Sequence, residues 1–76
     1  DPLKQAVGLH YIARRSQNMK KESIYAEIME RFDIKSRQTV ITYLNELGKR
    51  NWIEGGVRSD ILTLALEELS EWQKSK

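Results

Sequence analysis

The chain has 76 residues, of which 39% are hydrophobic and 32% charged, a balance typical of one small folded domain. It contains no cysteine, which excludes disulfides and thiolate metal sites. Its formal net charge is only +2, with eleven Lys and Arg against eight Asp and Glu over residues 1–60, so mild basicity in that part is a weak sign of an anionic partner.

Two helices are predicted first, over about residues 3–15 and 21–32. Pro2 suits the opening turn, because its missing N–H would be unpaired there anyway. His10 is the only histidine and lies on the apolar side of the first helix, so we expect it to be packed and hydrogen-bonded. The second helix has one apolar stripe at helical spacing, made of Ile24, Tyr25, Ile28, Met29 and Phe32.

A third helix is predicted over about residues 36–50, with Ser36 as its N-cap. The side that we expect to be buried consists of Val40, Leu44 and Leu47. At 100° per residue, the opposite and polar side consists of Gln38, Thr42, Asn45 and Lys49. Asp33 lies in the turn before this helix, and aspartate enters the left-handed region of backbone space at modest cost.

A β-hairpin is predicted next, over about residues 52–64. Gly55-Gly56 is a strong tight-turn signal between strand-forming residues. The return strand would run from about Arg58 to Leu64, and a fourth helix would follow over about residues 65–74. The expected fold class is therefore mainly α with a small β-hairpin, an α+β fold in a single domain.

A second interpretation fits the same C-terminal residues. Ser59 or Asp60 could cap one long helix, because ILTLALEELSEWQ also has a period of 3.6 residues. On either interpretation this segment has apolar residues on one face, and we consider it as a dimer interface or as a face that packs on the first helix. The residues of the predicted dimer interface are Leu66, Leu69 and Trp72.

The order of elements resembles a winged helix-turn-helix domain, over about residues 3–64. The residues that carry the resemblance are KKESIYAEIMERFDIKSRQTVITYLNELGKRNWIEGG. Within them, SRQTV at 36–40, KR at 49–50 and WIEGG at 52–56 match the superfamily in order and spacing. The resemblance implies a three-helix core with a wing and a C-terminal helix, in which the third helix enters the major groove of double-stranded DNA.

The resemblance also implies which residues contact DNA. Arginine can donate a bidentate pair to guanine, whereas glutamine and asparagine can pair with adenine. The predicted base-reading residues are Arg37, Gln38, Thr42 and Asn45. The predicted phosphate-contacting residues are Ser36, Tyr43, Lys49, Arg50, Arg58, Lys20 and Lys21. The implied function is sequence-specific binding of double-stranded DNA, in a transcription regulator or in the DNA-binding domain of a replication or partition protein.

Other interpretations of these residues stay open from the sequence. A polar helix face is often only the solvent face, and Arg37 could pair with Glu30, Asp33 or another carboxylate. The functional alternative is a winged-helix module that binds other proteins in a larger assembly. Such a module would not need a full set of polar groups on the third helix, and we would expect it to expose apolar ones there. A homodimer is possible, since DNA readers of this size usually bind paired half-sites.

Several function classes are not expected for this chain. It has no second histidine, no serine in a nucleophile context and no glycine-rich phosphate loop, so we predict no enzyme activity and no small-molecule substrate. Glu68 and Glu71 are better explained as the wet side of a helix, and we predict no metal or cofactor. No apolar run approaches the ~20 residues of a membrane span, and no signal-peptide pattern is visible. We therefore expect a cytoplasmic, nucleoid-associated or nuclear location.

Overall fold

A computed structural model of the chain describes residues 1–48 and 59–75. These residues form four α-helices and contain no strand. The helices are α1 (Pro2–Ser16), α2 (Lys21–Arg31), α3 (Arg37–Gly48) and α4 (Ser59–Lys74). The first three helices lie where the sequence predicts them, to within one or two residues at each described end.

The predicted α+β fold, with a winged three-helix core, is wrong: the described residues form an all-α, four-helix domain. Residues 59–64, which the sequence predicts as part of the return strand, form the first turns of α4. The long-helix interpretation is the correct one for this segment. Residues 52–58, which include the predicted Gly55-Gly56 turn, lie outside the described residues. The helical form is stabilised because it places Ile61, Leu62, Ala65 and Leu69 together against α1, whereas a strand would direct the adjacent Ile61 and Leu62 to opposite faces.

The first helix begins and ends with recognisable local signals. The Asp1 side chain caps it by accepting a hydrogen bond from the Leu3 N–H at 3.0 Å, and Pro2 occupies the first turn. Arg14 and Arg15 lie in the last turn, where cations interact favourably with the helix dipole. These signals fix the position of α1, against which the other three helices pack.

The hydrophobic core has two parts, on two sides of α1. The first part joins α1 to α2 and α3, and its buried members are Val7, Tyr11, Ile24, Ile28, Val40 and Leu44. The second part joins α1 to α4, and its buried members are Ile12, Ala13, Ala65 and Leu69. The backbone of α4 lies against α1 and not against α2 or α3. The fourth helix is therefore an addition to a compact three-helix unit.

The turn between α2 and α3 sets the position of α3. Asp33 has a φ of 53°, which confirms the expectation that it takes a left-handed conformation. The next N–H, of Ile34, donates to the Met29 carbonyl at 2.9 Å, and the Ile34 side chain packs on the first part of the core. This hydrogen-bonded turn and the packing of Ile34 on the core together fix where α3 begins relative to α2.

Candidate nucleic-acid interface

The third helix presents a polar face to solvent. Its buried side consists of Val40, Leu44 and Leu47, as the helical period predicts. Its exposed residues include all four predicted base readers, Arg37, Gln38, Thr42 and Asn45. Three of these lie opposite the buried side, while Arg37 lies at the flank next to α2. No large apolar side chain is among the exposed residues of α3 that the structure describes.

The beginnings of α2 and α3 lie side by side, joined by an ion pair. Arg37 donates from Nε to Oε2 of Glu22 at 2.9 Å and from Nη2 to the other carboxylate oxygen. The Arg37 guanidinium carbon also lies 5.3 Å from the centre of the Tyr25 ring, a cation–π distance. The hydrogen bond from Arg37 lowers the pKa of Glu22, and the same bond raises the pKa of Arg37. Each group thus favours the charged form of the other.

Three other predicted contact residues lie at the same end of the two helices. Lys20 directly precedes α2, Lys21 is its first residue, and both are exposed. Ser36 directly precedes α3 and is exposed as well. The first N–H groups of a helix have no partner within the helix and carry a partial positive charge. This end of the domain thus combines two helix N-termini with two lysines, a suitable environment for phosphate groups.

Of the four remaining residues that are predicted to contact phosphates, the structure describes only Tyr43. Tyr43 is half-buried and packs against the first part of the core, with Lys4 Nζ at 5.5 Å from its ring centre. Lys4 in turn pairs with Glu46 at 2.5 Å, so this end of α3 is tied to α1. The other three, Lys49, Arg50 and Arg58, lie outside the described residues.

The residues of the predicted dimer interface are mostly engaged within the chain. Leu69 is 1% exposed and Trp72 is half-buried, and both belong to the core between α1 and α4. Leu66 is 38% exposed on the flank of α4. The packing of α4 on α1 accounts for Leu69 and Trp72, and it leaves Leu66 as the accessible member of that set.

A buried polar cluster lies on the far side of α2 from the Arg37 pair. His10 is 1% exposed, and its Nε2 lies 2.5 Å from Oε1 of Glu27 while its Nδ1 lies 2.9 Å from Nη1 of Arg31. Since Arg31 can only donate, Nδ1 is the acceptor and the proton is on Nε2. Arg14 donates to both Glu27 oxygens, at 2.7 and 3.1 Å. His10 is therefore packed and hydrogen-bonded, as the sequence predicts.

Aromatic rings close this polar cluster toward α4. The His10 ring makes edge contacts with Phe32 and Trp72, at centroid distances of 6.2 and 5.2 Å. The Arg31 guanidinium lies over the same two rings, at 4.7 and 5.1 Å. The cluster links α1, α2 and α4 through side chains, and its groups satisfy one another, so we assign it a structural role.

A cleft of about 200 Å³ lies beside the buried polar cluster. Its lining residues are Pro2, Gln5, Ala6, Leu9, Arg31 and Glu68. Arg31 donates to His10 and lies over two aromatic rings, so we assign its guanidinium to the buried polar cluster. Within residues 1–48 and 59–75, no three His, Asp or Glu side chains are grouped as a metal site would require. None of the helices described is long and apolar enough to cross a membrane.

No protein-family model, curated protein or solved structure matches this chain. The functional interpretation thus depends on the geometry of the residues themselves.

The sequence-based alternative that Arg37 pairs with a carboxylate is confirmed. Its partner is neither Glu30 nor Asp33 but Glu22, fifteen positions away. A contact over that separation is set by how α2 packs against α3, and no local signal in the sequence reports it. Tyr25 was expected in the core, where it does stack on Tyr11 at 6.3 Å, but its ring also supports the guanidinium.

Proposed function

We propose that this domain binds double-stranded DNA sequence-specifically, with α3 in the major groove. The observation that carries the proposal is the exposed face of Gln38, Thr42 and Asn45 beside the paired N-termini of α2 and α3. A helix of this length is about 18 Å long, and the major groove is wide enough to admit it. In this proposal α2, the turn at Asp33 and α3 would serve as the helix-turn-helix unit that such docking uses.

The chemistry of the face favours DNA over a protein partner. Amide side chains can donate and accept together, which is what the edge of adenine requires, and a threonine can contact the thymine methyl. Lys20 and Lys21 would contact phosphates from the start of α2 while α3 reads the bases. A protein-docking surface would be expected to expose apolar groups on α3, and its exposed residues in the described part are polar.

The domain would belong to a transcription regulator, or to a replication or partition protein, and would act on the nucleoid or in the nucleus. Binding of paired half-sites by a homodimer stays a prediction. Leu66 is the residue of the predicted interface that remains exposed for it.

Residues that read bases and residues that contact phosphates can be distinguished by whether their effect on binding depends on the DNA sequence. A random duplex pool selected with the purified protein would supply a preferred sequence. Replacing Gln38 or Asn45 by alanine should weaken binding to that duplex by about 1–3 kcal/mol and relax the preference at one position. Binding to mixed-sequence duplex should change little. If both variants bind the selected duplex as tightly as the unchanged protein, α3 does not read bases.

The lysines should behave differently. Lys21→Ala should weaken binding to every duplex by a similar factor and reduce the slope of log affinity against log salt by about 1. Lys74→Ala is the matched control, because it removes the same charge from an exposed position on α4. Equal effects of the two variants would mean that only net charge matters, and the proposed docking geometry would then be wrong.

A further inference from the structure

Arg37 is held from two directions by side chains of α2. The carboxylate of Glu22 accepts from its Nε and Nη2, and the Tyr25 ring supports its guanidinium plane. Arg37 and Glu22 are both exposed, and exposed ion pairs contribute little to folding stability. The pair therefore contributes little to the fold, and its main consequence is for the orientation and charge of Arg37.

The pairing leaves the outer end of the guanidinium free to donate. Arginine has five N–H donors, and the contact with Glu22 uses one on Nε and one on Nη2. Two donors on Nη1 and one on Nη2 remain, and one from each nitrogen points outward at the far end of the group. Guanine accepts two donors, at O6 and N7, in the major groove. Arg37 can therefore bind guanine end-on while its side edge stays on Glu22.

The same pairing changes what Arg37 prefers to bind. A free arginine is attracted to any phosphate, because that attraction depends on its net charge. A carboxylate beside it cancels much of that charge at a distance, while the directional donors at the outer end remain. Arg37 paired with Glu22 is thus a poor contact for phosphate in general and a well-oriented contact for one base edge.

We propose that Glu22 is a positioning residue, which orients Arg37 for bidentate donation to a guanine and lowers its attraction to phosphates elsewhere. This role rests on the proposed function, because it requires α3 to lie in the major groove. Fixing a long side chain before binding removes part of the ordering cost that binding would otherwise include. Glu22 would then raise specificity while lowering non-specific affinity.

The proposal is tested with three duplexes. The change in base preference of Arg37→Ala first identifies the G·C pair that Arg37 contacts. The duplexes are the selected one, the same duplex with that pair changed to A·T, and a mixed-sequence duplex. For Glu22→Gln we expect tighter binding to the mixed-sequence duplex, with a salt slope steeper by about 1. Discrimination for guanine over adenine at that position should fall by about threefold to tenfold. Glu30→Gln is the control, since it removes the same charge from an exposed position of α2 and should leave the discrimination unchanged.

The outcomes separate the two proposals. If Glu22→Gln raises affinity for all three duplexes by the same factor, Glu22 is only a repelling charge and the positioning role is wrong, while DNA binding stands. If the unchanged protein binds no duplex even at low salt, the proposed function is wrong and the positioning role is wrong with it.

A spectroscopic readout follows the pair itself. The Arg37 Nε–H should give an NMR signal that is protected from exchange with solvent, both in the free protein and in the complex with the selected duplex. This protection should be lost in Glu22→Gln. Loss of protection when the unchanged protein binds the duplex would mean that Arg37 leaves Glu22 on binding, which would overturn the positioning role.

Discussion

At the scale of single residues, the buried His10 makes stability depend on pH. Burial lowers the pKa of His10, although Glu27 acts in the opposite direction, and Arg31 and Arg14 reinforce the lowering. Protonation would also place a second N–H at Nδ1, against the Arg31 guanidinium that now donates to it. The native cluster therefore needs the neutral imidazole.

The free energy of unfolding should fall as pH falls below 6.5. The unfolded chain takes up a proton near the ordinary His pKa of 6.5, and the folded chain does so only at lower pH. Between those values the unfolded state binds more protons, so acid favours unfolding, and the contribution is full above 6.5. His10 alone can change the free energy of unfolding by at most about 1.4 kcal/mol per pH unit.

This slope can be measured by denaturation at a series of pH values between about 5.5 and 7.5, which is roughly the range around the ordinary His pKa. Because His10 is the only histidine, His10→Gln should remove most of the slope. A stability that stays flat or rises toward acid in the unchanged protein would contradict the description of the cluster.

Glu27 accepts hydrogen bonds from both α1 partners in the cluster. Burial raises the pKa of its carboxyl, but the hydrogen bonds from Arg14 and His10 outweigh burial and lower it overall. Glu27→Ala would leave Arg14 and His10 without their acceptor, and should cost about 1–3 kcal/mol in the free energy of unfolding. Glu30→Ala, the same change at an exposed position of α2, should stay within about 0.5 kcal/mol. Equal losses in urea denaturation would show that the cluster contributes nothing specific.

Single residues also show how far a sequence can be interpreted on its own. The exposure of Gln38, Thr42 and Asn45 follows from helical periodicity, so it could be predicted. The partners of His10 and Arg37 could not, because Glu27 and Glu22 lie fifteen or more positions away and reach them only through helix packing. The residue types indicate which interactions are possible, whereas the packing of the helices determines which side chains are in contact.

At the scale of elements, α4 is held by its packing on α1, which is the most extensive contact between two of the described helices. Ala65 and Leu69 are its buried residues in the second part of the core. Leu69→Ala should therefore cost about 2–5 kcal/mol, from lost burial and the cavity left behind. Leu64→Ala is the matched control on the same helix, since Leu64 is 46% exposed and should change stability by about 0.5 kcal/mol or less. Similar losses for both variants would mean that α4 does not pack on α1 as described.

The same helix explains where prediction of the fold failed. The sequence after Gly55-Gly56 has apolar residues at spacings that suit a strand over a few residues and a helix over many. Local preference cannot choose between them, because the choice depends on what surface is available for burial. The side of α1 that carries Ile12 and Ala13 supplies that surface, and it accepts a helix.

At the scale of the whole molecule, α1 separates two regions of the domain. One side of α1 packs against α2 and α3, and the other packs against α4. The charges differ between the two regions, because residues 20–48 carry five Lys and Arg against five Asp and Glu. The fourth helix is acidic, with Asp60, Glu67, Glu68 and Glu71 against a single Lys74. An acidic α4 would be repelled by phosphates, which favours binding of DNA through the α2–α3 side and leaves α4 facing away from it.

The most direct test of the DNA-binding proposal is an amide-resolved NMR titration with a mixed-sequence duplex, at low salt and again at physiological salt. We predict shifts at the start of α2 and along α3 from Ser36 to Asn45, which fade as salt rises, while the amides of α4 stay in place. If the amides of α2 and α3 do not move even at low salt, or if the shifts centre on α4, the polar face of α3 is only a solvent face and the proposed function is wrong.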